Sequence, residues 1–123
     1  MLELAVERNI PFVLENPLTS RMWLMPSLSR FISKSGARFS QVDYCQYGTD
    51  WRKPTGLLHW HSRNLEQILK VCQPHRGVCS CSNRQHVRLV GRDATGTFWT
   101  LRAQPYPITF CKDIARHVIA AIA

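Results

Sequence analysis

The apolar residues of this chain fall into two kinds of segment. Continuous or alternating apolar runs at 10–14, 38–44 and 57–61 are typical of β-strands. Apolar residues at helical spacing occupy 2–8 and 64–71, and they recur after Pro107. The stripe of the last segment is the clearest, and it consists of Ile108, Cys111, Ala115, Val118 and Ile122. Because strands and helices alternate, we expect an α/β sheet.

The run at 10–14 carries no charge, which predicts a strand buried on both faces, as in a parallel sheet. Asn16 and Pro17 follow it with the residue types of a helix cap and a first helical turn. The predicted helix is broken near Pro26 and ends at Ser35-Gly36. We therefore expect a strand, a helix cap and a helix in direct succession.

The segment before the last helix has a different character. Residues 72–86 show little periodicity and are rich in cysteine and histidine. Short strands are predicted at 87–90 and 97–101, on either side of a turn. The length predicts a single domain, 1–123, and we treat 72–86 as a candidate zinc-binding insert within it.

The charge is unevenly distributed. The formal net charge is +8, and 12 basic residues stand against three acids between Arg21 and Arg92. A basic excess of this kind attracts polyanions, and nucleic acid first, with DNA expected rather than RNA. The alternative is a solvated basic surface that keeps the protein in solution.

The five cysteines bear on the compartment. An odd count with no signal peptide argues against a secreted disulfide scaffold. No apolar stretch approaches the ~20 residues that a membrane span needs, so no membrane partner is expected. We therefore expect an intracellular protein with reduced thiols, nuclear in a eukaryote.

Five candidate metal ligands crowd into the insert. Zinc takes four thiolate or imidazole ligands in a tetrahedron. The set that we expect is Cys72, Cys79, Cys81 and His86, with His75 as a substitute. Cys45 is instead expected to be a buried or half-buried strand thiol. The alternative is a loop with free thiols and surface histidines.

Glu15 stands at the end of an apolar run, directly before Asn16-Pro17. In open α/β sheets, ligands bind at the carboxyl ends of the strands, so a carboxylate there would face a site. The alternative is that Glu15 and Asn16 only cap the following helix.

Three motifs occur in order along most of the chain. They are Leu14-Glu15-Asn16-Pro17, then Tyr47-Gly48-Thr49-Asp50-Trp51-Arg52-Lys53-Pro54-Thr55 leading into 57–60, and Ala103-Gln104-Pro105-Tyr106-Pro107 before the last helix. In this order they resemble the cytosine-5 DNA methyltransferase family. They are similar, in particular, to divergent methyltransferase-like segments associated with retroelements. The resemblance implies a Rossmann-like methyltransferase sheet, of which this chain would be a part.

The resemblance also implies site residues. Glu15 would be the catalytic-pocket residue that holds a flipped cytosine by its ring nitrogen and amino group, and Asn16 belongs to the same motif. Arginines of the family's later motif contact the base carbonyl. Lys53 stands at the first of those positions and Thr55 at the second, while Arg52 lies where the family varies. Either Arg52 or Lys53 would therefore make the contact.

In the family, the region around the insert holds the part that recognises the target. Trp51, in the loop after Tyr47-Gly48, is the tryptophan that we expect to stack on a base. Phosphate contacts are expected from Arg76, Arg84, Arg88 and Arg92. A solvated basic face is again the alternative.

Two elements of the family are missing. The six glycines are scattered and form no Gly-rich turn for S-adenosylmethionine, and no Pro-Cys-Gln loop supplies a nucleophile. Both elements precede the Glu-Asn motif in the family, and only 14 residues precede Glu15 here. We therefore expect the carboxyl-terminal half of a methyltransferase-like domain, inactive alone. It would use S-adenosylmethionine only if the missing half were supplied, so a partner or self-association is expected.

Two alternatives stay open. The chain could be a non-catalytic, basic nucleic-acid-binding module stapled by zinc, since the basic excess and the Cys/His insert support that interpretation. It could also be a relic of a mobile element, which would have no stable fold.

Overall fold

A computed structural model describes residues 1–62 and 64–122 of the chain. Within these residues, one sheet is formed by β1 (Phe12–Pro17), β2 (Arg38–Asp43) and β3 (Pro54–Trp60). The strand order is β1-β3-β2, and β3 is antiparallel to both neighbours. β1 and β2 therefore run in the same direction, with β3 inserted between them.

The helices lie before, between and after the strands. Two short 3-10 helices, Arg21–Leu24 and Tyr44–Tyr47, follow β1 and β2. The α-helices are α1 (Leu2–Glu7), α2 (Pro26–Ser35), α3 (Leu65–Ile68), α4 (Trp99–Arg102) and α5 (Ile108–Ile122). The expected mixture of helices and strands is confirmed, but the sheet is antiparallel in its pairing and not the parallel sheet that the run at 10–14 predicted.

The prediction that Asn16 and Pro17 open a helix is wrong. Both residues belong to β1, where Pro17 is opposite Thr55 and the N–H of Leu18 still donates to the carbonyl of Pro54. Continued pairing with β3 keeps this stretch extended. Ser20 caps the following 3-10 turn instead, since its Oγ accepts the N–H of Met22.

Helix α2 begins where the sequence suggested a break. Pro26 lies in its first turn, where a missing N–H costs nothing. The helix ends at Gly36, as predicted, in a left-handed conformation with φ 73°.

β1 has one edge that no described strand covers. Since the N–H of Leu18 points to β3, alternation directs the backbone N–H groups of Val13 and Glu15 outward. Pro11 and Pro17 occupy the next outward positions and have no N–H to offer. The free edge therefore presents two backbone donors between two prolines.

Two apolar cores lie on the two faces of the sheet. One face packs Leu58 against Phe31 and Ala37, under α1 and α2. The other face packs Leu57 and Val42 against Phe110 of α5, together with Tyr44 and Tyr47.

The predicted stripe of α5 is only partly correct. The helix forms after Pro107 as expected, but Ile108 and Ile122 are 71% and 67% exposed. Phe110 is the buried residue of the helix, and Ile114 packs beside it. The rings of Tyr44 and Tyr47 receive Phe110, with centroid separations of 5.1 and 5.3 Å.

Three further predictions are wrong in extent or type. The helix predicted at 64–71 is the single turn of α3. The strands predicted at 87–90 and 97–101 do not form; an isolated bridge joins Arg92 and Phe98, and α4 begins at Trp99. Short polar turns, and not strand pairing, organise this part of the chain.

Candidate metal centre

Three thiols and one imidazole converge beside the end of β2. They belong to Cys45, Cys72, Cys79 and His86, and their ligand atoms all lie within 4.8 Å of one another. Cys45 comes from the 3-10 turn directly after β2, whereas the other three come from the segment after α3. The three cysteines are buried and form a cluster of their own. This group can hold a metal ion.

The distances within the group suit a tetrahedral ion. Sγ of Cys72 lies 4.0 Å from Sγ of Cys79 and 3.7 Å from Nε2 of His86. A tetrahedron with Zn–S about 2.3 Å and Zn–N about 2.0 Å would place these pairs ~3.8 and ~3.6 Å apart. A sulfur separation of 4.0 Å also excludes a disulfide, and all five cysteines of the chain are free.

A small hairpin at 75–78 and the chain that pairs with it position two of the ligands. His75 and Val78 exchange backbone hydrogen bonds around Arg76-Gly77, whose φ values of 51° and 78° are those of a tight hairpin turn. The chain then returns beside itself, since the N–H of Cys79 donates to the carbonyl of Arg84. This pairing brings Cys79 and His86 to the same side.

Asp43, the last residue of β2, anchors the third ligand. Its carboxylate is fully buried, accepts the N–H of Cys72 at 2.8 Å and accepts Nε of Arg52 at 3.1 Å. The backbone N–H of Asp43 also donates to the carbonyl of Lys70. Asp43 therefore ties the end of β2 to the start of the insert.

Hydrogen-bond donors surround the sulfurs. Gln46 Nε2 lies 3.4 Å from Sγ of Cys45, and Ser80 Oγ lies 3.5 Å from Sγ of Cys72. The N–H of Cys81 donates to Sγ of Cys79 at 3.4 Å. Donors in these positions support the thiolate form that a metal requires.

The thiols differ in their acidity. Burial raises the pKa of the Cys45 thiol to about 12. For Cys79, burial acts in the same direction, but backbone N–H groups of Ser82 and Cys81 outweigh it and lower the pKa to about 6. A bound cation would be needed to deprotonate Cys45, since ligating thiols lose their protons to the metal.

Some of the ligands predicted from the sequence belong to the group and others do not. Cys72, Cys79 and His86 come together, whereas Cys81 and His75 are exposed and lie outside the group. Cys45 takes the place expected for Cys81, and it lies in a turn, not in a strand. Ligand spacing within 72–86 could not reveal it; the available signal was a cysteine directly after a predicted strand.

Residues 71–92, which include the insert, form a basic segment that we call the arginine loop. Residues 71–92 contain no acid, and the four arginines are exposed: Arg76, Arg84, Arg88 and Arg92. Among the described residues, none of the four takes part in an ion pair. The arginine loop is therefore available to a polyanion.

Glu15 lies near the end of β1, in a cluster separate from the metal group. Tyr106 donates its hydroxyl to Oε2 of Glu15 at 2.8 Å, and this bond raises the pKa of Tyr106. Tyr44 lies close by: burial, and then the charge of Glu15, raise its pKa. Lys53 Nζ lies 5.6 Å over the Tyr44 ring and donates to the carbonyl of Ala103.

The other predicted substrate contacts point elsewhere. Asn16 lies on the opposite sheet face and donates to Ser20 Oγ at 2.9 Å. Arg52 is paired with Asp43. Trp51 is half-buried, and its Nε1 is a buried donor without a partner among the described residues. Of the predicted contacts, Lys53 is the one that lies over the ring of Tyr44, the residue beside Glu15.

No protein-family model matches this chain, and neither a curated protein nor a solved structure matches it. Among the described residues, none of the helices has the length and apolarity required to span a bilayer.

Proposed function

We propose that the chain is a nucleic-acid-binding module whose arginine loop is held in place by a structural zinc ion. The observation that carries this proposal is that three ligands of the Cys₃His group lie within a segment that has four exposed arginines and no acid. Phosphate recognition needs such unpaired cations held in a defined arrangement.

The donor set favours zinc in a structural role. Three thiolates and one imidazole are a common ligand set of structural zinc sites, and four protein ligands leave no position open for a substrate. The segment that the ion would staple has few apolar residues of its own in either core. Metal binding would then supply much of its folding free energy.

The metal is tested by elemental analysis of protein expressed in zinc-supplemented medium. We expect about one zinc per chain in the unmodified protein, and loss of most of it in Cys45→Ser, Cys72→Ser and Cys79→Ser. Cys81→Ser and Cys111→Ser are matched controls, since both thiols are exposed and lie outside the group. Full zinc retention in Cys45→Ser would contradict the assigned ligand set.

Nucleic-acid binding is tested on the zinc-loaded protein by fluorescence anisotropy over a range of salt concentrations. We expect log K to fall linearly with log salt, and the slope to decrease by about 0.7–0.9 for each arginine of the loop replaced by glutamine. Arg116→Gln, in α5, is the control, because Arg116 is paired with Asp113. Equal binding by the quadruple arginine variant would refute the proposal.

A second candidate function is base binding of the methyltransferase type at Glu15. It is favoured by the convergence of Glu15, Tyr106 and Lys53 around Tyr44, whose buried hydroxyl has no hydrogen-bond partner among the described residues. β1 and β2 run in the same direction and are linked through α2, which fits part of a Rossmann-like sheet. The outer edge of β1 could receive strands from another chain that brings the S-adenosylmethionine site.

This second function predicts base flipping without methyl transfer. A strand with a fluorescent cytosine analogue should brighten on binding, because the base leaves its stacked neighbours. Glu15→Gln should remove the change, whereas Glu7→Gln, on the exposed α1, should not. Methyl transfer by the chain alone would contradict the assignment as an incomplete enzyme.

A further inference from the structure

We infer that the nucleic acid is bound as a single strand, with unpaired bases stacking on aromatic side chains beside the arginine loop. This inference rests on the proposed nucleic-acid binding and specifies its ligand. It is carried by the segment from Arg92 to Arg102, in which two arginine–aromatic pairs lie next to each other along the chain.

The first pair is Arg92 with Phe98. The guanidinium carbon of Arg92 lies 3.9 Å from the centroid of the Phe98 ring, and Phe98 is 49% exposed. Arg92 is held there, since it donates from one guanidinium nitrogen to the carbonyl of Gly96 at 2.8 Å. A base could stack on the exposed part of this ring or guanidinium plane without rearrangement of the pair.

The second pair is Arg102 with Trp99. The guanidinium carbon lies 5.1 Å from the Trp99 ring centroid, and an ion pair of 3.0 Å with Asp93 holds it in position. Hydrogen bonds from Thr95, supported by those from Thr97 and Arg102, lower the pKa of Asp93 against the opposing effect of burial. Asp93 thus remains ionised and fixes both the turn and Arg102.

The turn between the pairs is held by several hydrogen bonds. Asp93 Oδ1 accepts the N–H groups of Thr95 and Thr97 at 2.9 and 3.0 Å. The N–H of Asp93 donates to the carbonyl of Thr97 at 2.8 Å. The two aromatic rings are therefore presented in a preorganised arrangement, which lowers the entropy lost on binding.

Several features favour a single strand over a duplex. Stacking on a side chain requires a base whose face is free, and a duplex hides those faces. Reading a duplex groove usually needs a helix or a two-stranded ribbon that can enter it. Within the described residues, 69–98 contain no helix, their strand pairing is limited to isolated bridges that form no extended ribbon, and α4 has four residues. The arginine loop on the amino-terminal side supplies the phosphate contacts.

The experiment compares three fluorescein-labelled probes with the zinc-loaded full chain: a 12-nucleotide DNA strand, the RNA strand of the same sequence, and the 12-base-pair DNA duplex. We expect at least one of the single strands to bind about tenfold more tightly than the duplex. Replacement of Phe98 by Ala or by Leu should weaken binding to that strand by roughly 5- to 150-fold. The leucine variant keeps apolar bulk at this position and protects the test against misfolding.

Leu101→Ala is the matched control, since Leu101 is 54% exposed on the same segment and has no ring. It should bind as the unmodified protein does. The difference between the DNA and RNA strands identifies which of the two is the ligand. Zinc content and circular dichroism, measured for each variant, show that the fold is kept.

The outcomes separate the two proposals. If the duplex binds more tightly, or if Phe98→Leu binds the single strand normally while the arginine variants are weakened, the single-strand inference is overturned and nucleic-acid binding stands. If no probe binds in a salt-dependent manner, nucleic-acid binding itself fails.

Discussion

At the scale of single residues, His59 is a buried, hydrogen-bonded polar side chain of the sheet. It is 1% exposed, and its ring nitrogens lie 2.9 Å from Ser40 Oγ and 2.6 Å from Ser62 Oγ. His117 of α5 is hydrogen-bonded to the carbonyl of Ser62. Two hydroxyls can satisfy a neutral imidazole in either tautomer, and burial disfavours the charged form of His59.

The buried state of His59 predicts acid sensitivity. Burial above all, helped by the charges of Arg38 and His117 and opposed by that of Glu66, lowers its pKa below the ordinary 6.5. Below pH 6.5 the unfolded chain binds a proton that the folded chain does not, so the free energy of unfolding should fall as pH falls towards the lowered pKa. His59→Gln cannot titrate and should lose this part of the slope. Urea denaturation at several pH values measures it; identical slopes in both proteins would contradict the role of His59.

Gly56 predicts a second effect at this scale. A Cβ on Gly56 would lie 2.7 Å from the ring of Phe39 and 3.0 Å from that of Trp23, which cross edge to face over the strand. Gly56→Ala should therefore destabilise the fold by about 1–3 kcal/mol, since the rings must move. The cost should shrink in a Phe39→Ala background, and chemical denaturation of the four proteins of this cycle measures the coupling. An unchanged cost would show that the two positions do not interact.

At the scale of elements, α5 shows that a regular apolar pattern can predict a helix correctly and still predict the wrong buried face. Its spacing correctly predicted a helix, but the apolar residues at 108, 111, 115, 118 and 122 outnumber those that reach the core. The face of α5 that packs against the core is determined by the aromatic pocket of Tyr44 and Tyr47, which the ring of Phe110 fills. That pocket is formed by residues more than 60 positions away, so the sequence of the helix alone does not reveal it.

Two substitutions in α5 distinguish its faces. Phe110→Ala should lower the free energy of unfolding by about 3–5 kcal/mol, because it leaves a cavity under the helix. Ile108→Ala should change it by no more than about 0.5 kcal/mol, since Ile108 is largely exposed. Thermal unfolding of both variants measures the difference. A large loss in Ile108→Ala would mean that the face is covered in solution.

Comparison of the sequence with the structure explains which predictions were correct. The strands at 38–44 and 57–61 and the final helix could be predicted, because local periodicity and the turn residues Gly36 and Pro107 agree there. The extent of β1 could not, since Asn16 and Pro17 have the local preferences of a helix start and tertiary pairing with Thr55 overrides them. For the candidate site, clustering of cysteine and histidine identified three members of the group. The fourth member, Cys45, could not be identified in this way, because its place in the group depends on where β2 ends in three dimensions.

At the scale of the whole molecule, the described residues of 72–86 contribute nothing to either apolar core, although the turn that carries Cys45 also carries the core residues Tyr44 and Tyr47. Both cores lie on the sheet, whereas Cys72 and Cys79 pack in the cysteine cluster. Removal of a bound metal by a chelator should therefore release 72–86 and leave the sheet folded. Hydrogen exchange followed by mass spectrometry checks this: amides of 72–86 should lose protection at least tenfold, and those of β3 should keep it. Simultaneous loss in β3 would show that the metal holds the entire fold.

The strand order carries a consequence for biosynthesis. β1 and β2 are made first, but they are not neighbours in the sheet, and within the described part of the chain each pairs with β3 alone. On the ribosome, neither strand can find its partner until residue 60 has left the exit tunnel, and Cys45 must then wait for Cys72, Cys79 and His86. During that interval two strand edges are open to other nascent chains. Synthesis of this protein should for that reason depend on holdase chaperones more than its length alone would suggest.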